Sequence, residues 1–365
     1  MTASGLAIGA SKLDLDTPSL LLDLRKLQNN IRRMASFVAD GPTKLRPHAK
    51  THKCVEIARM QVAAKAVGIT CATLSEAEVF ADGGIEDILI ANQIVGSKIR
   101  DLVELERRCR VTVAVDDAEN VQALSKAASE AGVTIPCLVE VNVGMDRCGV
   151  EPGGPELLEL VRQVGSSSGL VFAGLQAYEG HLQFVMPIEE RRERALADMH
   201  KALEAKCRIE AEDLMVPLIS GGGTGTYNVT GKLPWMSELQ AGSYATMDAR
   251  YRSAGVGFST AVTLLATVIS RPRPDRAVID AGLKAVTSEF GMPEVLVDGA
   301  SLVKLSEEHG ILLLDGQARE LRIGDRVKLL PSHGCTTINL HDRYHVIEGD
   351  QVQDVWMIAG RGRCQ

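Results

Sequence analysis

One lysine, in a short basic segment, has the clearest potential for covalent chemistry. Lys50 ends the run RPHAK at residues 46–50, after a short lead-in (residues 44–45) that could end a strand, and His48, His52 and Lys53 surround it. Burial and neighbouring cations both lower the pKa of a lysine, and a neutral lysine forms Schiff bases with carbonyl groups. The alternative interpretation is a basic loop exposed to solvent.

A glycine-rich segment, GGGTGT at residues 221–226, directly follows an apolar run. In such a loop the peptide N–H groups can bind a phosphate group at close range. It is not a dinucleotide fingerprint, which would need glycine at Thr226, and no P-loop lysine follows it. Ser243 and Tyr244 offer hydroxyls for the same phosphate. A flexible turn is the alternative interpretation.

Three side chains are predicted at the ends of two neighbouring apolar strands. Arg147 follows the run that ends near residue 143, where it would place a fixed cation, or else form a structural salt bridge. Tyr178 and His181 follow the next run, which ends at residue 177. They are therefore expected to face the same mouth of the sheet, although packing is the alternative role for the tyrosine.

His333 and Cys335 form a His-x-Cys pair near the C-terminus. On an extended segment this spacing points both side chains to one face, and imidazole and thiolate are preferred ligands of zinc. Two ligands are too few for a structural zinc, so the pair predicts an open site completed by water and substrate. A chance match is the alternative, and residues 307–309 and 339–342 hold candidate supporting side chains.

The elements that must position these residues change character along the chain. From residue 18 to about 250, near-continuous apolar strands alternate with helical segments, which indicates a parallel sheet. About eight such units favour an α/β fold of the (β/α)8 TIM-barrel type over an open sheet. Beyond residue 255, short strands separated by Gly, Pro and Asp turns predict a mainly antiparallel β-domain. We therefore expect a barrel at 18–254 and a β-domain at 255–365, with residues 1–17 as a candidate addition to the second.

Composition excludes several classes of protein. Of the 365 residues, 45% are hydrophobic and 24% charged, which is typical of a globular protein, and a net charge of −7 argues against nucleic acid as a partner. No apolar run is long enough to span a membrane, and the first residues lack the pattern of an export signal. The eight scattered cysteines then predict reduced thiols and a cytoplasmic location.

Taken in order, these motifs resemble the D-threonine aldolase and D-serine dehydratase family. Its members are fold-type III pyridoxal-phosphate (PLP) enzymes with an N-terminal barrel like that of alanine racemase. The resemblance runs from about residue 16 to residue 362. Its specific stretches are residues 46–50, 147–150, 176–178, 221–225, 239–244, 248, 280–284 and 333–342.

The resemblance implies a role for each candidate. Lys50 would be the Schiff-base lysine, with His181 and Tyr178 as further catalytic candidates. The cofactor would also be bound by Arg147, Tyr178, Gly222, Gly223, Thr224, Ser243 and Tyr244. A divalent metal, zinc or manganese with magnesium as a further candidate, would lie on His333 and Cys335 near the β-hydroxyl of a small D-amino acid. The resemblance also implies a homodimer with active sites at the subunit interface.

Two positions depart from the pattern of the aldolases. They usually have aspartate where Cys335 stands, whereas the dehydratases have cysteine, and a thiolate favours zinc over manganese or magnesium. They also often have histidine at the position of Phe184, so His181 becomes the candidate base for the β-hydroxyl proton.

The predicted activity is retro-aldol cleavage of a D-β-hydroxy-α-amino acid to glycine and an aldehyde. The alternative is a D-serine or 3-hydroxy-D-aspartate dehydratase that gives a 2-oxo acid and ammonia. A racemase would need a second base from the β-domain, for which Tyr344 is the remaining tyrosine. A non-catalytic carrier of the cofactor is disfavoured because relatives of that type consist of the barrel alone.

Overall fold

The structure, a computed structural model, describes residues 8–365. The first seven residues, on which the prediction about an export signal falls, lie outside the described residues. The chain divides into two compact units. We name them the barrel unit (Arg33–Lys50, Ile57–Gly242 and Arg363–Gln365) and the β unit (the described residues up to Arg32, with Thr51–Glu56 and Ser243–Gly362).

Strands and helices cover most of the chain. The strands are β1 (Ser19–Asp23), β2 (Lys44–Leu45), β3 (Ile69–Cys71), β4 (Asp87–Gln93), β5 (Arg110–Val115), β6 (Ile135–Glu140), β7 (Leu170–Ala177), β8 (Ile219–Gly221), β9 (Glu238–Leu239), β10 (Val262–Arg273), β11 (Arg276–Ile279), β12 (Glu294–Val295), β13 (Ala300–Leu305), β14 (Gly310–Leu314), β15 (Arg326–Leu330), β16 (Arg343–Glu348) and β17 (Gln351–Met357). The α-helices are α1 (Leu24–Ala39), α2 (Val55–Ala63), α3 (Leu74–Asp82), α4 (Lys98–Glu106), α5 (Ala118–Ala131), α6 (Pro155–Ser166), α7 (Ile188–Glu210), α8 (Tyr227–Thr230), α9 (Ala249–Ser253) and α10 (Gly334–Ile338). Short 3-10 helices lie at Lys12–Asp14, Gly180–Leu182 and Gly316–Glu320.

The barrel unit is built on an eight-stranded sheet in the order β2-β9-β8-β7-β6-β5-β4-β3, with every pair parallel. The sheet closes on itself because the segment after β2 pairs with β3. There the Thr70 N–H donates to the Pro47 carbonyl at 2.9 Å, and the Ala49 N–H donates to the Thr70 carbonyl at 2.7 Å. Closure leaves no sheet edge exposed. The predicted (β/α)8 barrel is confirmed.

Two helices of the barrel unit, α3 and α5, begin at side-chain caps. Asp117 accepts the N–H of Asn120 at the start of α5, and Gly132, with φ of 67°, ends that helix in the left-handed conformation. Helix α3 is capped by Thr73. Thr73 is the residue with extended backbone before the helix, and its hydroxyl accepts the N–H of Glu76.

The β unit contains a nine-stranded sheet in which β13-β14-β11-β10-β1-β16-β17 are neighbours, while β15 pairs with β10 and β12 pairs with β15. All pairs are antiparallel except β1 with β16, which confirms the predicted mainly antiparallel β-domain. The alternation that starts at residue 18 includes β1 among the barrel elements, whereas the structure pairs β1 with β10 and β16. Leu21 of β1 is buried there against Leu265 and Ile347.

Among residues 8–365, no helix is both long enough and apolar enough to cross a membrane.

Arg46, the first residue of the basic segment, ties three strands of the barrel together. Its guanidinium makes a two-pronged contact with Glu238 of β9, at 2.8 and 2.9 Å, and reaches Asp87 of β4 at 2.5 Å. Burial opposes the charge of Arg46, but the hydrogen bonds and charges of its two partners outweigh burial and raise its pKa. Arg46 is therefore part of the scaffold that carries Lys50.

We expect the substitution Arg46→Ala to destabilise the protein by about 3–5 kcal/mol, because it leaves the buried carboxylate of Glu238 without a partner. The midpoint of thermal unfolding, followed by circular dichroism, measures the effect. Arg100→Ala is the matched control, since the Arg100 side chain is 83% exposed and pairs with its neighbour Asp101. Its effect should stay within about 0.5 kcal/mol. Equal midpoints for the two variants would contradict the prediction.

Candidate active site

The C-terminal ends of the barrel strands form one edge of the barrel unit, and most of the predicted cofactor residues follow those ends. Lys50 lies beyond β2, the glycine segment beyond β8, Tyr178 beyond β7 and Arg147 beyond β6. With β9 between β2 and β8, these strands are consecutive neighbours in the sheet. This edge is where parallel-barrel enzymes place their active sites.

Lys50 directly follows the closure of the barrel. The two hydrogen bonds to Thr70 fix the backbone of residues 47–49, and Ala49 is fully buried. Lys50 itself is half-buried. The segment therefore holds the lysine at a defined place on the rim, as a covalent role would require.

Arg147 and Tyr178 lie together, as the sequence predicts for neighbouring strand ends. The guanidinium carbon is 5.7 Å from the centroid of the tyrosine ring, within the range of a cation–π contact. The buried carboxyl of Glu140, at the end of β6, accepts a hydrogen bond from Gln93 at 2.7 Å. Burial raises the pKa of Glu140, while Gln93 and the charge of Arg147 oppose the rise. This part of the rim thus combines a cation, an aromatic ring and a carboxyl group.

The glycine segment is packed so closely that larger residues would not fit. A Cβ on Gly223 would lie 2.4 Å from Gln183 Oε1, and one on Gly225 would lie 2.1 Å from the Gln183 carbonyl oxygen. Gly222 has φ of 71°, where L residues are strained. The glycines are therefore required by contacts with the β7–α7 connection, which does not support a merely flexible turn.

A buried carboxyl group, missed by the sequence interpretation, lies beneath this segment. Glu179 is fully buried, and its Oε1 accepts hydrogen bonds from the hydroxyls of Thr226 and Thr230, both at 2.6 Å. The Oε2 atom has no hydrogen-bond partner among the described residues. Burial raises the pKa of Glu179, and the two hydroxyls oppose that rise. Its position between Tyr178 and His181 in the chain was a signal that could have revealed it.

His181 forms a close pair with an acidic side chain. Its Nε2 lies 2.9 Å from Asp198 Oδ2, on helix α7. Lys201 donates to the other oxygen of Asp198 and to the Val143 carbonyl, both at 3.0 Å. A carboxylate that holds one imidazole nitrogen fixes the ring orientation and the tautomer, which is how general bases are commonly positioned.

In the β unit, His333 and Cys335 lie next to each other, as predicted, but on a different backbone from the one assumed. His333 is the extended residue before α10, and Cys335 lies in the first turn of that helix. The expectation of an extended segment is therefore wrong. The proximity survives because the helix begins between the two residues. The thiol of Cys335 also lies 3.5 Å from the hydroxyl of Thr51.

Glu289 and Phe290 hold the ring of His333. The Nδ1 atom lies 2.7 Å from Glu289 Oε1, and the Phe290 ring stacks on the imidazole with centroids 4.6 Å apart. Burial lowers the pKa of His333, but Cys335 and Glu289 outweigh it and raise that pKa to about 9. Glu289 lies 44 residues before His333, so no local pattern could have revealed it.

The other candidate supports of this pair have different partners. Glu308 pairs with Lys284, the Asn339 side chain accepts the Gly362 N–H, and His341 Nε2 lies 2.7 Å from the Ala285 carbonyl. The residue that supports the start of α10 is the buried Asp248, which accepts the Gly334 N–H at 2.9 Å. Asp248 also caps α9 by accepting the Tyr251 N–H. Asp248 therefore anchors the start of α10.

Ser243 and Tyr244, predicted to bind phosphate, belong to the β unit. Ser243 is buried with its hydroxyl 3.5 Å from that of Thr51, and Tyr244 is fully buried against Phe258. Tyr344, considered as a racemase base, is also fully buried, and its hydroxyl donates to the His52 carbonyl at 2.8 Å. Burial raises the pKa of Tyr344 well above its ordinary value, so this side chain is unsuited to proton abstraction.

Within residues 8–365, no cluster of three or more His, Cys, Asp or Glu side chains has the arrangement of a metal site. His333 and Cys335 nevertheless suit a two-ligand site. Imidazole and thiolate are zinc ligands, and a carboxylate on the second ring nitrogen, as Glu289 provides, is the usual support of a zinc-bound histidine.

Two family profiles match successive parts of this chain. The profile described as "Alanine racemase, N-terminal domain" matches residues 22–249. The profile described as "Putative serine dehydratase domain" matches residues 261–347.

Three curated relatives match over almost their whole length. D-threonine aldolase from Arthrobacter sp. is 40% identical, covering 95% of this chain and 93% of that protein. 3-Hydroxy-D-aspartate aldolase from Paracoccus denitrificans (strain Pd 1222) is 36% identical, covering 97% and 94%. D-threo-3-hydroxyaspartate dehydratase from Delftia sp. (strain HT23) is 31% identical, covering 94% and 97%.

Two solved structures are similar throughout. D-threonine aldolase from Filomicrobium marinum has a TM-score of 0.95 at 38% identity, covering 98% of this chain and 99% of that one. A cysteine-to-alanine variant of D-threo-3-hydroxyaspartate dehydratase, in the metal-free form, has a TM-score of 0.88 at 29% identity, covering 95% and 98%.

Proposed function

Since this chain belongs to the family of alanine-racemase-like lyases that includes D-threonine aldolase and D-serine dehydratase, we propose that it cleaves D-β-hydroxy-α-amino acids to glycine and an aldehyde. PLP and a divalent metal would be its cofactors. The observation that carries the proposal is the arrangement of Lys50, the glycine segment, Tyr178 and Arg147 beyond neighbouring strands of one barrel edge.

The residues of the barrel edge suit the chemical groups of PLP. Lys50 would hold its aldehyde carbon, Arg147 its ring oxygen, and Tyr178 its ring face. Gly222, Gly223 and Thr224, with the hydroxyls of Ser243 and Tyr244, would hold its phosphate. When bound, PLP supplies an electron sink for the electron pair released at the α-carbon of the substrate.

His181 is our candidate for the base in the cleavage. Retro-aldol cleavage requires removal of the proton on the β-hydroxyl while the bond between Cα and Cβ breaks. The contact of Asp198 with Nε2 fixes the imidazole and would stabilise it once it has taken up that proton. Tyr178, three residues earlier on the same connection, is a further catalytic candidate because its phenol follows the end of β7.

His333 and Cys335 would hold the metal in the β unit, and Glu289 would orient the histidine. A metal there would act as a Lewis acid toward the β-hydroxyl. The thiolate of Cys335 favours zinc, whereas manganese and magnesium prefer oxygen ligands.

Dehydration to a 2-oxo acid and ammonia is the second candidate reaction. Cys335 favours it, because the resemblance gives the dehydratases a cysteine at this position, whereas the aldolases usually have aspartate there. In this reaction Lys50 would remove the α-proton of a substrate such as D-serine or 3-hydroxy-D-aspartate, and the β-hydroxyl would leave.

Three further predictions accompany the proposal. They rest on the sequence and on the resemblance. They are a domain boundary between residues 254 and 255, a cytoplasmic location, and a homodimer with active sites at the subunit interface. Sedimentation analysis of the purified protein would test the homodimer, and a monomer at assay concentrations would contradict it.

We expect the purified protein to absorb visible light as PLP does when bound to lysine, and Lys50→Ala to abolish this absorbance. The reason is that the covalent link to the aldehyde carbon requires a primary amine at this position, which lysine has and alanine lacks. Lys44→Ala is the matched control, because Lys44 is exposed on β2. An unchanged spectrum in the Lys50 variant would rule out this lysine.

Product analysis distinguishes the two reactions. With D-threonine, D-threo-phenylserine and D-serine, glycine plus an aldehyde is the expected outcome, and 2-oxo acid plus ammonia would identify a dehydratase. If His181 is the base, His181→Gln should lower kcat for glycine formation by about 10²- to 10⁴-fold. The control is His200→Gln, which changes an exposed histidine of α7. Equal rates for the two variants would exclude His181.

Metal content tests the proposal that His333 and Cys335 hold a divalent metal. We expect His333→Ala and Cys335→Ala each to lower zinc content after dialysis, measured by elemental analysis, because each removes one of two protein ligands. Cys207→Ala is the control, since this cysteine is exposed. Cys335→Asp should shift preference from zinc toward manganese. Full zinc content in the alanine variants would contradict the assignment.

A further inference from the structure

The buried carboxyl of Glu179 has no part in the proposed chemistry, yet it lies at the centre of the polar contacts that shape the glycine segment. We infer that Glu179 is a positioning residue that fixes this segment in the form that binds the phosphate of the cofactor. The inference rests on the proposed binding of PLP to this segment.

The direction of each hydrogen bond supports the inference. The hydroxyls of Thr226 and Thr230 both donate to Glu179 Oε1, which acts as the shared acceptor. The lone pairs of Thr226 Oγ1 are then directed to its other neighbours. These are the N–H of Gly223 at 3.3 Å and Gln183 Nε2 at 3.2 Å.

The same contacts set the orientation of the Gln183 amide. Its Nε2 also donates to the Glu179 carbonyl at 3.3 Å, so its Oε1 faces the segment and accepts the N–H of Gly225 at 2.7 Å. Glu179 Oε1 thus determines the orientation of the Thr226 hydroxyl and, through it, of the Gln183 amide. These two groups in turn accept the N–H groups of Gly223 and Gly225. Such a connected network is more rigid than its separate bonds.

Burial of a carboxyl group at this place costs stability, because Oε2 has no hydrogen-bond partner among the described residues. A residue needed only to fill space would be apolar. This cost fits a residue that positions the segment rather than one that stabilises the barrel.

The test compares the affinities of the cofactor-depleted protein for PLP and for pyridoxal, which lacks the phosphate, measured by absorbance titration. We expect Glu179→Ala to weaken PLP binding about tenfold or more and to change pyridoxal binding less than about threefold. Glu179→Gln should stay close to wild type, because its amide oxygen can accept both hydroxyls. Equal losses for the two ligands, or no loss, would overturn the inference.

A matched pair of threonine variants decides the question if Glu179→Ala does not fold. Thr226→Val removes the acceptor of the Gly223 N–H, whereas Thr230→Val removes a hydroxyl that donates to the same carboxyl oxygen. We expect Thr226→Val, but not Thr230→Val, to weaken the binding of PLP more than that of pyridoxal. Similar effects of the two variants would contradict the inference. Failure of the wild-type protein to bind PLP would instead overturn the proposed function.

Discussion

Closure of the parallel sheet is the constraint on which the barrel unit depends. Thr70 exchanges hydrogen bonds with residues 47–49, so β3 at one end of the sheet is joined to the segment beyond β2 at the other end. Because all strands run in the same direction, closure brings their C-terminal ends to one rim. Lys50 is the first residue beyond that junction. The bonds that complete the fold therefore also place the residue on which the proposed chemistry depends.

Two buried acidic residues of the barrel unit show how the same physical cost is met in different ways. Glu238 is paired with the guanidinium of Arg46, which compensates its charge and links β2 to β9. Glu179 accepts two hydroxyls instead, and its other oxygen has no hydrogen-bond partner within residues 8–365. The cost of removing the carboxyl group from water is compensated at Glu238 and only partly compensated at Glu179. The first arrangement supports the scaffold, and the second supports the rim.

Periodicity made the architecture predictable, whereas contacts distant in sequence were not. Repeated apolar strands and helices specify a barrel because each unit repeats the same pattern. A single run such as residues 19–22 fits either sheet, and only its pairing with β10 and β16 places β1 in the β unit. Local motifs likewise singled out Lys50, His333 and Cys335 as candidates, but not Glu289. That residue is 44 positions from His333 in the sequence and reaches it only in the folded chain.

Cleavage and dehydration differ in which proton is removed, so the proton acceptor rather than the fold determines the reaction. Dehydration needs a base for the α-proton, which a lysine at the position of Lys50 can provide. Cleavage needs an acceptor for the β-hydroxyl proton, and Phe184 cannot serve. We propose His181 for this role, because Asp198 holds its ring and Lys201 pairs with the other oxygen of that carboxylate. The proposal of cleavage rather than dehydration therefore rests on the pairing of His181 with Asp198.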